Sequence, residues 1–98
     1  AQLWSHHGMD ARRLVGQNVR KYRLAADLSQ EQVAEKMGMD RAYVSGLELG
    51  NRNPTIITMW MIAGALNVKL SQLVDESSVT LSGVKTRKRA TKNKLDRR

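Results

Sequence analysis

The chain contains no cysteine, so neither a disulfide nor a thiolate-held zinc can support it. With 98 residues it has room for one domain that buries a modest apolar area. Helix packing must therefore supply the stability, with pairing to a second copy as a further source. Lack of cysteine also fits a reducing cytosol, and a cytoplasmic location is the default expectation. No basic stretch followed by an apolar run opens the sequence, which argues against a secretory signal. The longest charge-free stretch, residues 53–68, is interrupted by Asn, Pro and Thr and falls short of the ~18 apolar residues of a membrane span. Also missing are a Ser-His-Asp or Cys-His set, a phosphate-cradling glycine loop and a metal-ligand cluster, so an enzyme is the weakest candidate and no cofactor or metal is expected.

What is present is positive charge. The formal net charge is +8, which points to a polyanionic partner. Its distribution is uneven: from Lys85 to Arg98 eight cations face Asp96 alone, a net +7, while residues 1–84 carry +1. The overall charge therefore describes a basic tail, expected to be flexible, which either reaches phosphate or merely solvates the chain end. The tail's Lys85 to Arg89 run has the composition of a nuclear localisation signal, a pattern common by chance. The case for the folded part has to rest on patterning.

Residues 1–10 show no periodicity and read as a flexible leader, with Met9 a candidate natural start. Adjacent His6 and His7 lack the further ligands a metal site needs. From Ala11 to Ala26, Val15, Val19 and Tyr22 recur at helical spacing, with Arg12, Arg13, Arg20 and Lys21 around the outside. Asp27 tolerates the left-handed conformation that ends a helix. Ser29 with Gln32 forms a Ser-x-x-Gln capping box that opens a second helix, Gln30 to Met37, and Gly38 stops it. Asp40 can cap a third helix, with Val44 and Leu47 inward and Gly50 closing it. Two short helices about a tight glycine-containing turn make a helix-turn-helix. Thr55 then caps a fourth helix with Ile56, Met59, Ile62, Ala63 and Leu66 at core spacing, stopped by Asn67. Ser71 is the expected cap of a short fifth helix. The domain is expected to span residues 11–76, followed by a polar segment, 77–98, in which Val79 and Leu81 could form a short strand.

Residues 29–54, SQEQVAEKMGMDRAYVSGLELGNRNP, resemble the Cro/C1-type helix-turn-helix, the XRE family. The likeness extends from about Leu14 to Val74. It implies an all-α, five-helix, lambda-repressor-like domain in which helix three enters the major groove and helix two crosses the backbone, as in the lambda and 434 repressors. On that resemblance Arg41, Ala42, Tyr43, Ser45 and Gly46 are the base-reading positions. Arg41 suits guanine, because a guanidinium donates two hydrogen bonds to O6 and N7, and Ala42 suits a thymine methyl. Gly46 replaces the longer polar side chain common there, and Leu49 replaces a residue that often binds phosphate. Gln30, Asn51, Arg52 and Asn53 are the implied phosphate contacts. Arg20 and Lys21 add charge on helix one without a settled facing. Arg23 and Glu48 are implied to form an ion pair tying helix one to helix three.

Ile57, Trp60, Met61 and Gly64 make an apolar face beside the core stripe of helix four, where related sequences carry polar residues. Such a face marks a partner surface, and homodimers on palindromic operators are common among repressors of this type. The leading expectation is a homodimeric regulator of double-stranded DNA, a repressor or a controller protein. The alternatives are an antitoxin that also binds its own promoter, with a toxin masked by a second surface, and an interaction module that has lost DNA binding. Activation would add RNA polymerase as a partner. No membrane association is expected.

Overall fold

The computed structural model describes residues 10–77 and holds five helices: α1 Ala11–Ala25, α2 Gln30–Met37, α3 Arg41–Glu48, α4 Ile56–Leu66 and α5 Leu70–Leu73. Residues 1–9 of the leader, the basic tail and the residues around Val79 and Leu81 lie outside the described residues, whereas Asp10, expected in the leader, belongs to the start of α1. Among the described residues no helix is long and apolar enough to cross a membrane.

Helix starts follow side-chain chemistry. Asp10 accepts the Arg12 N–H at 2.7 Å and opens α1. At α2 the Ser29 hydroxyl accepts the Gln32 N–H at 3.0 Å, and the Gln32 amide oxygen accepts the Ser29 N–H at 2.8 Å. Both bonds satisfy backbone donors that the first helical turn leaves without partners. Thr55 caps α4 through the Thr58 N–H at 3.1 Å.

Four helix ends share one solution. Asp27, Gly38, Gly50 and Asn67 adopt left-handed backbone, with φ of 59°, 69°, 81° and 58°. In each case the next residue's N–H donates to the carbonyl five residues back: Leu28 to Arg23, Met39 to Ala34, Asn51 to Gly46 and Val68 to Ala63, at 2.8–3.1 Å. This bond closes orphan carbonyls and turns the chain sharply. The α2–α3 turn is thereby as tight as a helix-turn-helix requires.

Three expectations need correction. Asp40 occupies the residue before α3, but its side chain makes no capping bond. The helix start is held instead by the Asp40 carbonyl, which accepts the Tyr43 and Val44 N–H groups, and the carboxylate stays in solvent. The fifth helix begins at Leu70 rather than after Ser71, because the Gln72 amide oxygen reaches back to the Lys69 N–H at 2.9 Å and fixes the start there. Ile56 is not core but 61% exposed. At the first helical position a side chain tilts toward the N-terminus and so projects past the end of α4.

Val15, Val19, Val33, Val44, Leu47, Ile62, Leu66 and Leu73 form the heart of a single core drawn from all five helices. Burying each such side chain favours folding by about 1.5–3 kcal/mol. Asn18, fully buried, donates from Nδ2 to the carbonyls of Leu73 and Asp75, both at 3.0 Å. A polar side chain thus fastens the end of α5 onto α1, satisfying carbonyls that burial would otherwise leave costly.

Candidate nucleic-acid interface

The position of α3 is set at its C-terminal end. Glu48 accepts from Arg23 Nε at 2.6 Å, Arg23 Nη2 at 3.1 Å and Gln30 Nε2 at 3.0 Å, and Arg23 Nη1 donates to the Leu28 carbonyl at 2.9 Å. The two charged side chains are only 10% and 4% exposed. The hydrogen bonds that Arg23 donates to Glu48 raise its pKa, against the opposing effect of burial. One carboxylate thus joins α1, the start of α2 and the end of α3, and the fork geometry of the guanidinium fixes their relative orientation.

Sequence reasoning missed a second determinant, Gly16. A Cβ at this position would overlap the Leu47 and Glu48 carbonyl oxygens, so α1 and the end of α3 approach backbone to side-chain-free backbone. The available signal was a glycine inside a helix, which costs about 1 kcal/mol relative to alanine and so implies close approach.

With Val44 and Leu47 buried, α3 turns Arg41, Ala42, Ser45 and Gly46 outward. Arg41 and Ala42 are exposed, Ser45 and Gly46 half-buried, and the Arg41 side chain makes no ion pair or hydrogen bond among the described residues. Tyr43 lies apart from this group, half-buried and packed against the core. Its ring carries the Arg52 guanidinium at 5.3 Å. Arg52 also covers Gly46, where an added Cβ would stand 3.0 Å from Nε. The loop after α3 thereby folds one cation back over the helix, with Asn51 and Asn53 exposed on either side. Gln30, half-buried, directs its amide nitrogen to Glu48, leaving the α2 N-terminus itself, whose N–H groups favour anions.

The remaining expected residues lie on α4. Ile57 and Trp60 are each 66% exposed, Met61 and Gly64 are also exposed, and an added Cβ at Gly64 meets nothing within 4 Å. Ile56 joins them on this side. Trp60, Gly64, Val68 and Leu70 line an open cleft between α4 and the start of α5, with Lys69 at its margin. Helix α4 is therefore apolar on its outward side as well as its inward side, a pattern of helices that are covered. Among the described residues no cluster of His, Cys, Asp or Glu can hold a metal.

A helix-turn-helix family model matches residues 19–73. An uncharacterized HTH-type transcriptional regulator, y4dJ, from Sinorhizobium fredii is 42% identical over 77 residues, which cover 79% of this chain and 100% of that one. Control protein C.SmaI of Serratia marcescens is 41% identical over 66 residues, covering 67% of this chain and 79% of the relative. Among solved structures, the restriction-modification controller protein C.AhdI from Aeromonas hydrophila superposes with a TM-score of 0.61 at 39% identity, over 63% of this chain and 94% of that one. Fold, turn geometry and relatives agree: the chain belongs to the helix-turn-helix family of Cro/C1-type DNA-binding transcriptional regulators.

Proposed function

We propose that the chain acts as a homodimer on a palindromic operator, each protomer laying α3 in the major groove and Arg41 donating to O6 and N7 of a guanine. The observation that carries this reading is the outward face of α3, where Arg41 stands exposed at the first helical position without an ion-pair partner among the described residues. A free guanidinium at the leading end of a rigidly seated helix suits bidentate readout. Ala42 and Ser45 extend the face, while the α2 N-terminus, Asn51, Arg52 and Asn53 grip phosphates and set register. Ile57, Trp60, Met61 and Gly64 form the contact between the copies. A two-fold dimer of this kind would carry its two α3 helices to half-sites about 34 Å apart on one duplex face. The names of the relatives, a control protein and a restriction-modification controller, favour a repressor or controller role.

Selection from a randomised duplex pool, followed by fluorescence-anisotropy titration at physiological salt, tests the reading. A two-fold symmetric site is expected, weakened ~1 to 3 kcal/mol by Arg41→Ala with relaxed preference at one base per half-site. Weak, salt-sensitive binding that Arg41→Ala leaves unchanged, and that is lost on deleting residues 85–98, would assign DNA binding to the tail and overturn it.

A further inference from the structure

Helix α1 contains five cations, Arg12, Arg13, Arg20, Lys21 and Arg23, and no acidic residue. Three of them have partners. Arg12 pairs with Asp10 at 2.8 Å, Arg23 pairs with Glu48, and the Lys21 ammonium sits 5.0 Å from the centre of the Tyr22 ring. Arg13 and Arg20 are left exposed, with no ion pair or hydrogen bond from their side chains among the described residues. Arg13 also stands in the first turn, where the helix dipole disfavours a cation. The helix dipole therefore gives its charge no structural benefit there.

The two residues are seven apart, which returns them to within about 20° of one line and separates them by about 10.5 Å along the axis. That line borders the C-terminal end of α3 and the loop that follows it. Arg13, Gly16, Arg20 and Arg23 follow one another at spacings of three, four and three. The inner members of this row, Gly16 and Arg23, touch the end of α3 through the Leu47 and Glu48 carbonyls and the Glu48 carboxylate. Arg13 belongs to the outer margin and packs its stem on the loop after α3: its Cγ would stand 2.7 Å from a Cβ at Gly50. The Arg13 stem is thereby set against Gly50, where the loop carrying Asn51, Arg52 and Asn53 begins.

We propose that Arg13 and Arg20 form a second phosphate-binding row on α1, which holds the DNA backbone outside the segment gripped by the loop after α3. The row rests on the DNA-binding reading above and adds to it a contact that is electrostatic and indifferent to sequence. Two arginines on one line, based on a backbone already seated against α3, lengthen the footprint at each outer edge of the operator without reading a base.

The test compares the full chain with its Arg13→Ala/Arg20→Ala double variant on a duplex carrying the selected site, across a salt series. Each phosphate contact contributes about 0.9 to the slope of log K against log salt, so the double variant is expected to lose about 1.8 per protomer in slope. Base preference should stay unchanged, and hydroxyl-radical protection should shrink at the outer edges. Arg13→Lys/Arg20→Lys should restore most of the slope. An unchanged slope in the alanine variant overturns the row, as does an equal loss per charge removed in Lys21→Ala, on the other margin of α1. If the unaltered chain fails to bind the duplex at all, the DNA-binding reading itself falls, a result distinct from either.

Discussion

Gly16 of α1 meets the Leu47 carbonyl of α3 with no space between them for a methyl group. Because that carbonyl belongs to backbone, it cannot swing aside as a flexible side chain can. Gly16→Ala must push α1 away from α3, and the gain in helix propensity, about 1 kcal/mol, acts in the opposite direction. Overpacking of this kind costs typically about 1–3 kcal/mol. We expect net destabilisation, read as a lower urea midpoint. A variant as stable as the parent would mean that the two helices separate freely.

Removal of the Glu48 carboxylate tests the other fastening. Glu48→Ala leaves the Arg23 guanidinium largely buried without its counter-charge and deprives Gln30 of its acceptor. Breaking a buried pair in this way costs about 3–5 kcal/mol, a large share of the roughly 5–15 kcal/mol that stabilises a small domain. Chemical denaturation should show a lowered midpoint. Replacing both Arg23 and Glu48 with apolar residues should recover part of the loss, since no charge is then stranded.

Local chemistry was legible in the sequence itself, whereas tertiary placement was legible only where the family resemblance supplied it, as for the Arg23–Glu48 pair. The capping box of Ser29 and Gln32 and the left-handed stops at Asp27, Gly38 and Asn67 depend on residues within one turn of each other, and the structure forms them where those residues stand. Ile56 fits the core spacing of α4 yet lies outside, because periodicity does not register where a helix outruns its neighbours. Ser71 is a good cap by type, but the Gln72 side chain reached Lys69 first. Gln30 offered an amide for phosphate, whereas its nitrogen points to Glu48, eighteen residues away. The contact of Arg13 with Gly50 likewise joins residues that nothing in the local pattern relates.

The start of α1 should depend on acid. Hydrogen bonds from the Arg12 side chain, followed by the Arg12 backbone N–H, lower the Asp10 pKa from 3.8 to about 2. A carboxylate with a depressed folded-state pKa contributes fully above its unfolded value and loses that contribution as pH falls through the folded one. The cap should therefore persist at pH 5 and be lost as pH falls through about 2. The Arg12 amide resonance reports it directly. A titration centred near 3.8 would show that the Asp10–Arg12 bonds do not persist in solution.

Trp60 and Gly64 allow the homodimer to be tested apart from the fold. An added Cβ at Gly64 meets nothing within the protomer, so Gly64→Ala should raise helix stability by roughly 0.8–1 kcal/mol in a monomeric background. Trp60, two-thirds exposed, makes little contribution to the protomer's own core, and its loss should leave the fold intact. If the α4 face joins two copies, however, Trp60→Ala removes its largest aromatic from the contact, and truncating such a residue commonly costs about 2 kcal/mol or more. Sedimentation equilibrium should then show a dimer dissociation constant raised by about thirtyfold or more, with helical circular dichroism unchanged. Met61→Glu should act more strongly, because a two-fold interface repeats each residue and brings two uncompensated carboxylates to one apolar contact. A dimer unaffected by either change would place the contact elsewhere and leave the apolar side of α4 for a different partner.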